Sequence, residues 1–510
     1  MNSIDEKTFI ELISRVEKPQ RYLGNELNST KKKFDDDICK VVFAYPDIYE
    51  IGMSNLAVKI FYELINNRHD ALCERVFTPW YDFGEILKRN GIPLFSLESK
   101  IPIKNFDILG ITLPHELTFS NILYMLDLAQ IPFFSRERNE NFPIIFGGGP
   151  SAFNPEPVAD FFDVIVVGEG EDIFRKLINI SITEKGKGKN HILEKFALLE
   201  GVYVPKFYKV EKENSFYLSS PDNNRVPDKI KKAFYKDFAE SASPVVFPTP
   251  FTEAIHNRGQ VEIMRGCSQG CRFCMAGFIY RPTREKSVDN ILENAFEIIK
   301  NSGFKEVSFS SLNSGFFSGI DEVISRSIDT FKEKKVSPSL PSLRLDKLSK
   351  EILEKLTTIR KPGLTFAPEA GSQRLRDIIN KNLTEDDIFK TIETVSKLGW
   401  KHIKLYFMLG LPYETEEDIE AIITLIHEIL NITRNRQRIS IAFSNFIPKP
   451  FTPFQWHPLA SYDHMKNARN ILIKNLSKNK KVKFSFNNYE YSIIETVLTR
   501  GDRSLSKVIV

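Results

Sequence analysis

The stretch RGCSQGCRFC at 265–274 places three thiols, Cys267, Cys271 and Cys274, in one polar segment of a 510-residue chain that has only five cysteines. Thiolates are soft donors, suited to zinc or iron–sulfur clusters. Cysteines also serve as small core hydrophobes, but two arginines and two glycines make this stretch a loop. Structural zinc closes its shell with four ligands, usually as paired short spacings separated by a longer gap. No second pair follows, and His256 is the side chain that could complete such a shell. A cubane iron–sulfur cluster is held by thiolates; three of them satisfy three irons and leave the fourth open to an outside ligand. Gly266 and Gly270 let the backbone wrap closely, bringing local amides to the cluster sulfurs.

Such a loop needs a scaffold, and the pattern around it supplies one. The apolar run QVEIMR (260–265) leads straight into the cysteines. Further strand-like runs follow: KEVSFSS (305–311), PSLRLD (341–346), GLTFAPE (363–369), HIKLYFML (402–409) and ISIAFSNF (439–446). Amphipathic helices are expected between them, starting near Ser287, Gly319, Lys347, Gly371, Thr384 and Thr415, the last two with acidic first turns that favour the helix dipole. Six such units predict an incomplete parallel barrel whose working loops lie at the strand C-termini. A second alternation runs upstream through ICKVVFAY (38–45), CERVFT (73–78), DILGITL (107–113), PIIFGGG (143–149) and DVIVVGEG (163–170). It predicts a Rossmann-like parallel sheet with helices on both faces and ligands beyond the strand C-termini. The fold class is therefore α/β throughout. The expected division is an extension over 1–36, the sheet domain over 37–182, a connector with a hairpin over 183–255, the barrel over 256–478 and a basic C-terminal extension over 479–510.

C-x3-C-x2-C with an aromatic before the last cysteine, after the first strand of a partial barrel, resembles the radical S-adenosylmethionine (radical SAM) superfamily. VSFSSLNSG, LTFAPEAGSQRLRDIINKNLTEDD, KLYFMLGLPYETEEDI and NFIPKPFTPFQW are similar to uncharacterised bacterial members with an N-terminal cobalamin-binding-like domain. YPDIYEIGMSNL and FGGGPSAFNPEPVADFFDVIVVGEGED resemble that domain. The resemblance implies a [4Fe-4S] cluster on Cys267, Cys271 and Cys274, with S-adenosylmethionine bound at the open iron and cleaved reductively to methionine and a 5′-deoxyadenosyl radical. It also implies a small electron donor of the flavodoxin or ferredoxin type. By the same resemblance Phe273 lies near the adenine, Glu369 contacts the ribose or methionine part, and Gly410 approaches the adenine through backbone. Ser310, Ser311 and Asn313 stand where other members carry a G-G-E segment that meets the amino group; that signature is absent here. The plainer readings have the serines ending a strand and Glu369 capping a helix. Arg281, Arg284 and Lys286 could neutralise carboxylate or phosphate, or form a solvated face.

Many cobalamin domains bind cobalt through the histidine of D-x-H-x-x-G, and none of the eight histidines here has an aspartate two residues before it. Cobalamin held without that histidine, cobalamin with another ligand, and a fold that no longer binds it all stay open. His115, in LPHEL at a strand end, is in place for a ligand or an acid–base role. The rival functions are a cobalamin-dependent methyltransferase, a methylthio-transferring tRNA enzyme, and a non-enzymatic zinc-stabilised or ligand-sensing protein. The tRNA reading lacks the upstream cysteines and the C-terminal RNA-binding module it calls for. A net charge of +4 with 27% charged residues is ordinary and singles out no nucleic acid, although basic runs at 31–33 and 478–483 would be the first places to test. No apolar stretch is long enough to cross a bilayer, and clustered thiols with few others suggest a reducing compartment, the cytoplasm. The final segment, YEYSIIETVLTRGDRSLSKVIV, resembles one that continues further in related proteins, so a shortened or split chain is expected.

Overall fold

In a computed structural model, which describes residues 3–35, 37–213, 216–222, 225–339, 351, 354–355 and 364–510, the chain forms two α/β layers of parallel sheet. The first sheet contains β1 (Cys39–Tyr45), β2 (Ala71–Phe77), β3 (Ile108–Thr112), β4 (Ile144–Gly148), β5 (Val164–Val166) and β6 (Val202–Tyr203), in the order β2-β1-β3-β4-β5-β6. Every residue of β1 and β2 is buried, because helices cover both faces and the strands therefore read as continuous apolar runs. The run at β2 hides a charge: Arg75 is enclosed between Glu26 and Glu98, each 2.7 Å away. Parallel order 2-1-3-4-5 reverses direction between β1 and β3, which opens a crevice at their carboxyl ends.

The sheet extends past residue 182. The helix Lys189–Ala197 and antiparallel β6 complete its edge, so part of the expected connector belongs to the sheet. The expected hairpin is present as β7 (Tyr208–Glu213) against β8 (Phe216–Pro221).

The second layer begins with β9 (Gly259–Glu262) and β10 (Met264–Arg265), where one unbroken strand was expected. The break at Ile263 lets β10 pair antiparallel with β11 (Arg284–Glu285), a clasp around the cysteine loop that the sequence did not reveal. β12 (Glu306–Ser310) and β13 (Ser337–Ser339) continue from β9 in parallel. The expected strand at 341–346 and the helix start near Lys347 lie outside the described residues. β14 (Leu364–Glu369), β15 (His402–Leu409), β16 (Arg438–Asn445) and β17 (Val482–Phe486) form the remaining parallel arc. β17 falls in the segment expected to be a C-terminal extension; it pairs along β16 from Ile439↔Val482 to Phe443↔Phe486. The intervening helices start as their caps dictate: Ser287 accepts from the Asn290 amide, and Thr384 and Thr415 each close a capping box with Asp387 and Asp418.

The chain then returns to the first domain. Thr499 Oγ1 donates to Glu116 at 2.7 Å, Arg503 Nε pairs with Glu156 at 2.9 Å, and Ser506 donates to Asp160 at 2.9 Å. Asn154 meanwhile donates to the carbonyls of Thr499 and Gly501.

Candidate functional site

Cys267, Cys271 and Cys274 stand half-exposed in the loop after β10, at the carboxyl end of the first barrel strand. Gly266 has φ +91°, and a Cβ there would lie 2.7 Å from the Tyr280 carbonyl oxygen, so only glycine lets the chain turn into the loop. The far side of the loop is braced by the turn that follows the helix Gln373–Ile378. Asn380 Nδ2 donates to the carbonyls of Gln269 (3.2 Å) and Gly270 (3.0 Å), and the Arg272 amide donates to Ile379 at 2.9 Å. The thiols sense one another: burial pushes Cys271 up to about 11, the neighbouring Lys381 ammonium pulls against it, and Cys274 and Cys267 add to the rise. Cys274 is likewise raised by burial. Three thiols in one braced, partly enclosed loop fit a polynuclear cluster that spans the gap between them.

His256 is not among them. It precedes β9, at the opposite end of the strand from the cysteines, and its amide donates to Ser54. Among the described residues, no three His, Cys, Asp or Glu side chains are grouped to hold a single metal ion. Cys39 and Cys73 are buried in β1 and β2 as core residues.

The other expected contacts divide. Phe273 packs against a small apolar cluster formed by Ala370, Leu375, Ile379, Leu411, Phe446 and Phe454. Ser310 and Ser311 face the cavity described below. Asn313 is buried with its Oδ1 unpartnered, and such an atom asks for a donor. Glu369 ends β14 at a register shift with φ +69°, and its carboxylate lies 3.2 Å from Lys381. Gly410 is buried at φ +75°, and its amide donates to Glu414 at 2.8 Å. That amide is therefore already engaged. Arg284 and Lys286 are not solvated or free for phosphate. Arg284 pairs with Glu169, while buried Lys286 donates to the Ser241 carbonyl at 2.7 Å and is lowered to about 8 by burial. Arg281 is exposed and stacks over Phe278. His115 is exposed and is absent from the cavity lining.

A cavity of about 420 Å³ separates the two layers. Its floor is the β1/β3 crevice, with Tyr45, Thr112 and the Gly147–Gly149 turn; its roof is Met264, Gly266, Tyr280 and the Ser310–Leu312 segment. The lining is mainly apolar, with Phe43, Phe61, Phe146 and Phe174 in the depth and neither histidine nor cysteine among its residues. At its edge a buried ion network joins the layers. Glu169 pairs with Arg284 and, at 3.5 Å, with Arg265, and it accepts from the Tyr235 amide at 2.7 Å. Arg265 also meets Glu171 and Glu262, each at 2.8 Å. Burial raises the Glu169 carboxyl, but Arg284 and Arg265 outweigh it and hold the group below its ordinary range.

Sequence reasoning missed Lys381, Asn380, Glu414 and His464, none of which belongs to a spacing motif. Buried Glu414 bridges the Gly410 amide and His464 Nε2, the latter at 2.8 Å. This hydrogen bond holds the His464 pKa above its ordinary 6.5. A raised histidine contributes stability that is present below 6.5 and is lost as pH climbs through the folded value. Thermal melts across about pH 5.5 to 8.5 should therefore decline on the alkaline side, and His464→Gln should flatten that part of the slope.

Two family profiles match: "Radical SAM proteins, N-terminal" over residues 57–205 and "Radical SAM superfamily" over 261–426. The chain belongs to the radical SAM superfamily and is an enzyme of that class, which implies a [4Fe-4S] cluster and S-adenosylmethionine. Within it, an uncharacterized protein of Methanocaldococcus jannaschii is 31% identical over 477 residues, spanning 92% of this chain and 91% of that one. Two solved structures share the architecture at low identity. The radical S-adenosylmethionine methyltransferase TsrM from Kitasatospora setae, solved with cobalamin and a [4Fe-4S] cluster, has TM-score 0.55 at 12% identity and covers 82% of this chain and 77% of its own. The cobalamin-dependent S-adenosylmethionine radical enzyme OxsB has TM-score 0.53 at 15% identity, covering 86% and 56%. Among the described residues, no helix is long and apolar enough to cross a membrane.

Proposed function

We propose that Cys267, Cys271 and Cys274 hold the cluster and that the protein supplies no fourth ligand. The observation that carries this reading is the braced three-thiol loop at the mouth of the first barrel strand. A reduced cluster, when bound, supplies the electron that cleaves S-adenosylmethionine to methionine and a 5′-deoxyadenosyl radical. The chain's own residues then position and shield. Phe273 is held by its apolar neighbours on the adenine side, Asn313 offers a free acceptor, and Glu369 presents a carboxylate beside the loop. Ser310 and Ser311 border the space toward the cavity. The engaged Gly410 amide makes Gly410 a shape element rather than a donor.

The interdomain cavity is the proposed cobalamin site. Its mainly apolar lining, with the Gly147–Gly149 turn bringing bare backbone to its edge, suits a flat macrocycle. With no imidazole or thiol in the lining, cobalt would receive no nitrogen or sulfur ligand from a His or Cys there. Methyl transfer to an undetermined substrate is then the favoured reaction type. A flavodoxin- or ferredoxin-type reductant and a cytoplasmic location complete the reading.

Anaerobic reconstitution with iron and sulfide, followed by reduction with S-adenosylmethionine, tests it. About four irons per chain and formation of 5′-deoxyadenosine are expected. Stoichiometric zinc in anaerobically purified protein, with no iron taken up, would overturn it. Cobalamin added to the full chain should bind with the absorption spectrum of the base-off form; binding with histidine coordination, or none, removes the cavity assignment.

A further inference from the structure

We propose that the edge formed by the amino-terminal ends of β15, β16 and β17 binds the phosphodiester backbone of a nucleic acid. The surface lies outside the radical chemistry proposed above and does not depend on it.

Charge is segregated in the sequence, and the fold then gathers it. Residues 398–413, 429–462 and 464–489 contain no Asp or Glu, yet they carry thirteen Lys and Arg in a chain whose net charge is only +4. The rest of the chain is therefore net acidic. The three segments lie side by side, because β15, β16 and β17 pair in parallel from His402↔Arg438 and Ile439↔Val482 onward. Their starts form one edge, and Lys401, Arg436, Arg438, Lys480 and Lys481 stand exposed along it. The helices Glu416–Ile432 and Tyr462–Leu476 end at the same edge, the first followed by Arg434 and the second by Lys478. An open cavity of about 470 Å³ lies between those ends, lined by His427, three asparagines (Asn435, Asn475 and Asn479) and the lysines of 478–481, with no carboxylate.

Cations that follow a helix often serve its C-terminal dipole. Elsewhere in this protein such residues also have acidic partners: Lys88 pairs with Asp127 at 2.6 Å, Lys300 with Glu297 at 3.1 Å and Lys397 with Glu393 at 2.7 Å. Among the described residues, no carboxylate pairs with Arg434, Arg436, Arg438, Lys478, Lys480 or Lys481. Lys481 donates instead to the Asn435 carbonyl. Like charges assembled on one edge repel one another, a cost that a bound polyanion removes.

The surroundings of the edge select the class of partner. Among the described residues, its exposed large apolar side chains are confined to Ile473, at 37% exposure. A protein interface is built on an apolar core depleted of lysine, and insertion into a membrane needs an apolar face. Nucleic-acid interfaces are instead strongly positive, with arginine, lysine and asparagine side chains set on phosphate oxygens. The edge also lies one strand length from the cysteine loop. Eight residues in each of β15 and β16 span about 25 Å, too far for an electron donor that must sit beside the cluster.

The test uses full-length protein and the fluorescence anisotropy of a labelled single-stranded RNA of about 20 nucleotides, titrated between about 50 and 200 mM salt. With about five phosphates neutralised, affinity should fall roughly a hundredfold across that range. Arg436→Gln combined with Arg438→Gln should reduce the slope of log affinity against log salt by about 1.4, two contacts' worth. Lys478→Gln combined with Lys480→Gln should do the same, so either pair carries the comparison if the other disturbs folding. Lys31→Gln with Lys33→Gln, at the exposed basic run near the N-terminus, should leave the slope unchanged. Duplex DNA of the same length, polyglutamate and phosphatidylserine vesicles serve as parallel probes. Salt-dependent binding of either nucleic acid supports the assignment, and the tighter of the two identifies the polymer. Preference for polyglutamate or vesicles over both nucleic acids overturns it. So does an affinity indifferent to salt, or a slope that neither the arginine pair nor the lysine pair alters.

Discussion

Cys271→Ala should abolish 5′-deoxyadenosine formation outright, with the barrel still folded. Cys271 is the middle thiol of the loop, and its neighbours on both sides are held in place independently of it. The Arg272 amide is bonded to Ile379, and the carbonyls of Gln269 and Gly270 are bonded to Asn380. The loop should therefore keep its path when the sulfur is removed. Two thiolates leave two irons without a protein ligand instead of one, and such a cluster is expected to fall apart or to be recovered in substoichiometric amounts. Iron analysis, the signal of the reduced cluster and product formation should vanish together, while far-ultraviolet circular dichroism and the main melting transition stay close to the parent. Retention of product formation above a tenth of the parent rate would show that Cys271 is not a cluster ligand.

The second large effect concerns the seam between the layers. Glu169→Ala removes the one carboxylate that Arg284 and Arg265 both contact, and it leaves the Tyr235 amide without its acceptor. Glu169 is 6% exposed at its side chain, and both arginines are 12% exposed, so solvent cannot replace what is lost. Breaking an enclosed pair of this kind costs about 3–5 kcal/mol. The loss should appear in denaturant unfolding as an earlier transition of the seam, with the two layers becoming separately protease-sensitive. Glu169→Gln, which keeps the acceptor but drops the charge, should lose less. Because the carboxyl is held below its ordinary 4.5, its contribution is present above that value and is lost as pH falls through the folded one, so the parent and Glu169→Gln should converge in acid. A change within about 1 kcal/mol for Glu169→Ala would mean that Glu169 does not hold the seam, leaving it to the Arg265–Glu171 pair and apolar contact.

How much of this was readable from the residues depends on whether a feature is local. Capping residues at Ser287, Thr384 and Thr415 declare themselves within four residues, and the helices begin where they say. The strands at 402–409 and 438–445 alternate cleanly because one side meets helices and the other the barrel interior. The break between β9 and β10 was invisible because it serves β11, twenty residues downstream. Arg284 and Lys286 read as surface charges because their partners, Glu169 and Ser241, lie in other elements. β17 was hidden because its basic, Lys-rich approach resembles a tail, although Val482 and the Phe484 and Phe486 rings pack into the barrel core. The thiols were legible from spacing alone. Lys381 was not, since one lysine in INKN differs from its neighbours only by what the fold sets beside it.

The contacts of Glu116, Glu156 and Asp160 with Thr499, Arg503 and Ser506 carry a consequence for synthesis. A ribosome delivers the first sheet long before it delivers those partners: at about 5–20 residues per second, roughly 15 to 60 seconds pass between completing β6 and adding Thr499. Throughout that interval the first domain must stand with acidic groups open to water, including Glu116, which ends up only 4% exposed. Nascent chains stalled short of residue 449 should therefore present a folded but negatively charged face, which Lys449, paired with Glu116, and Arg503, paired with Glu156, neutralise once they have been added.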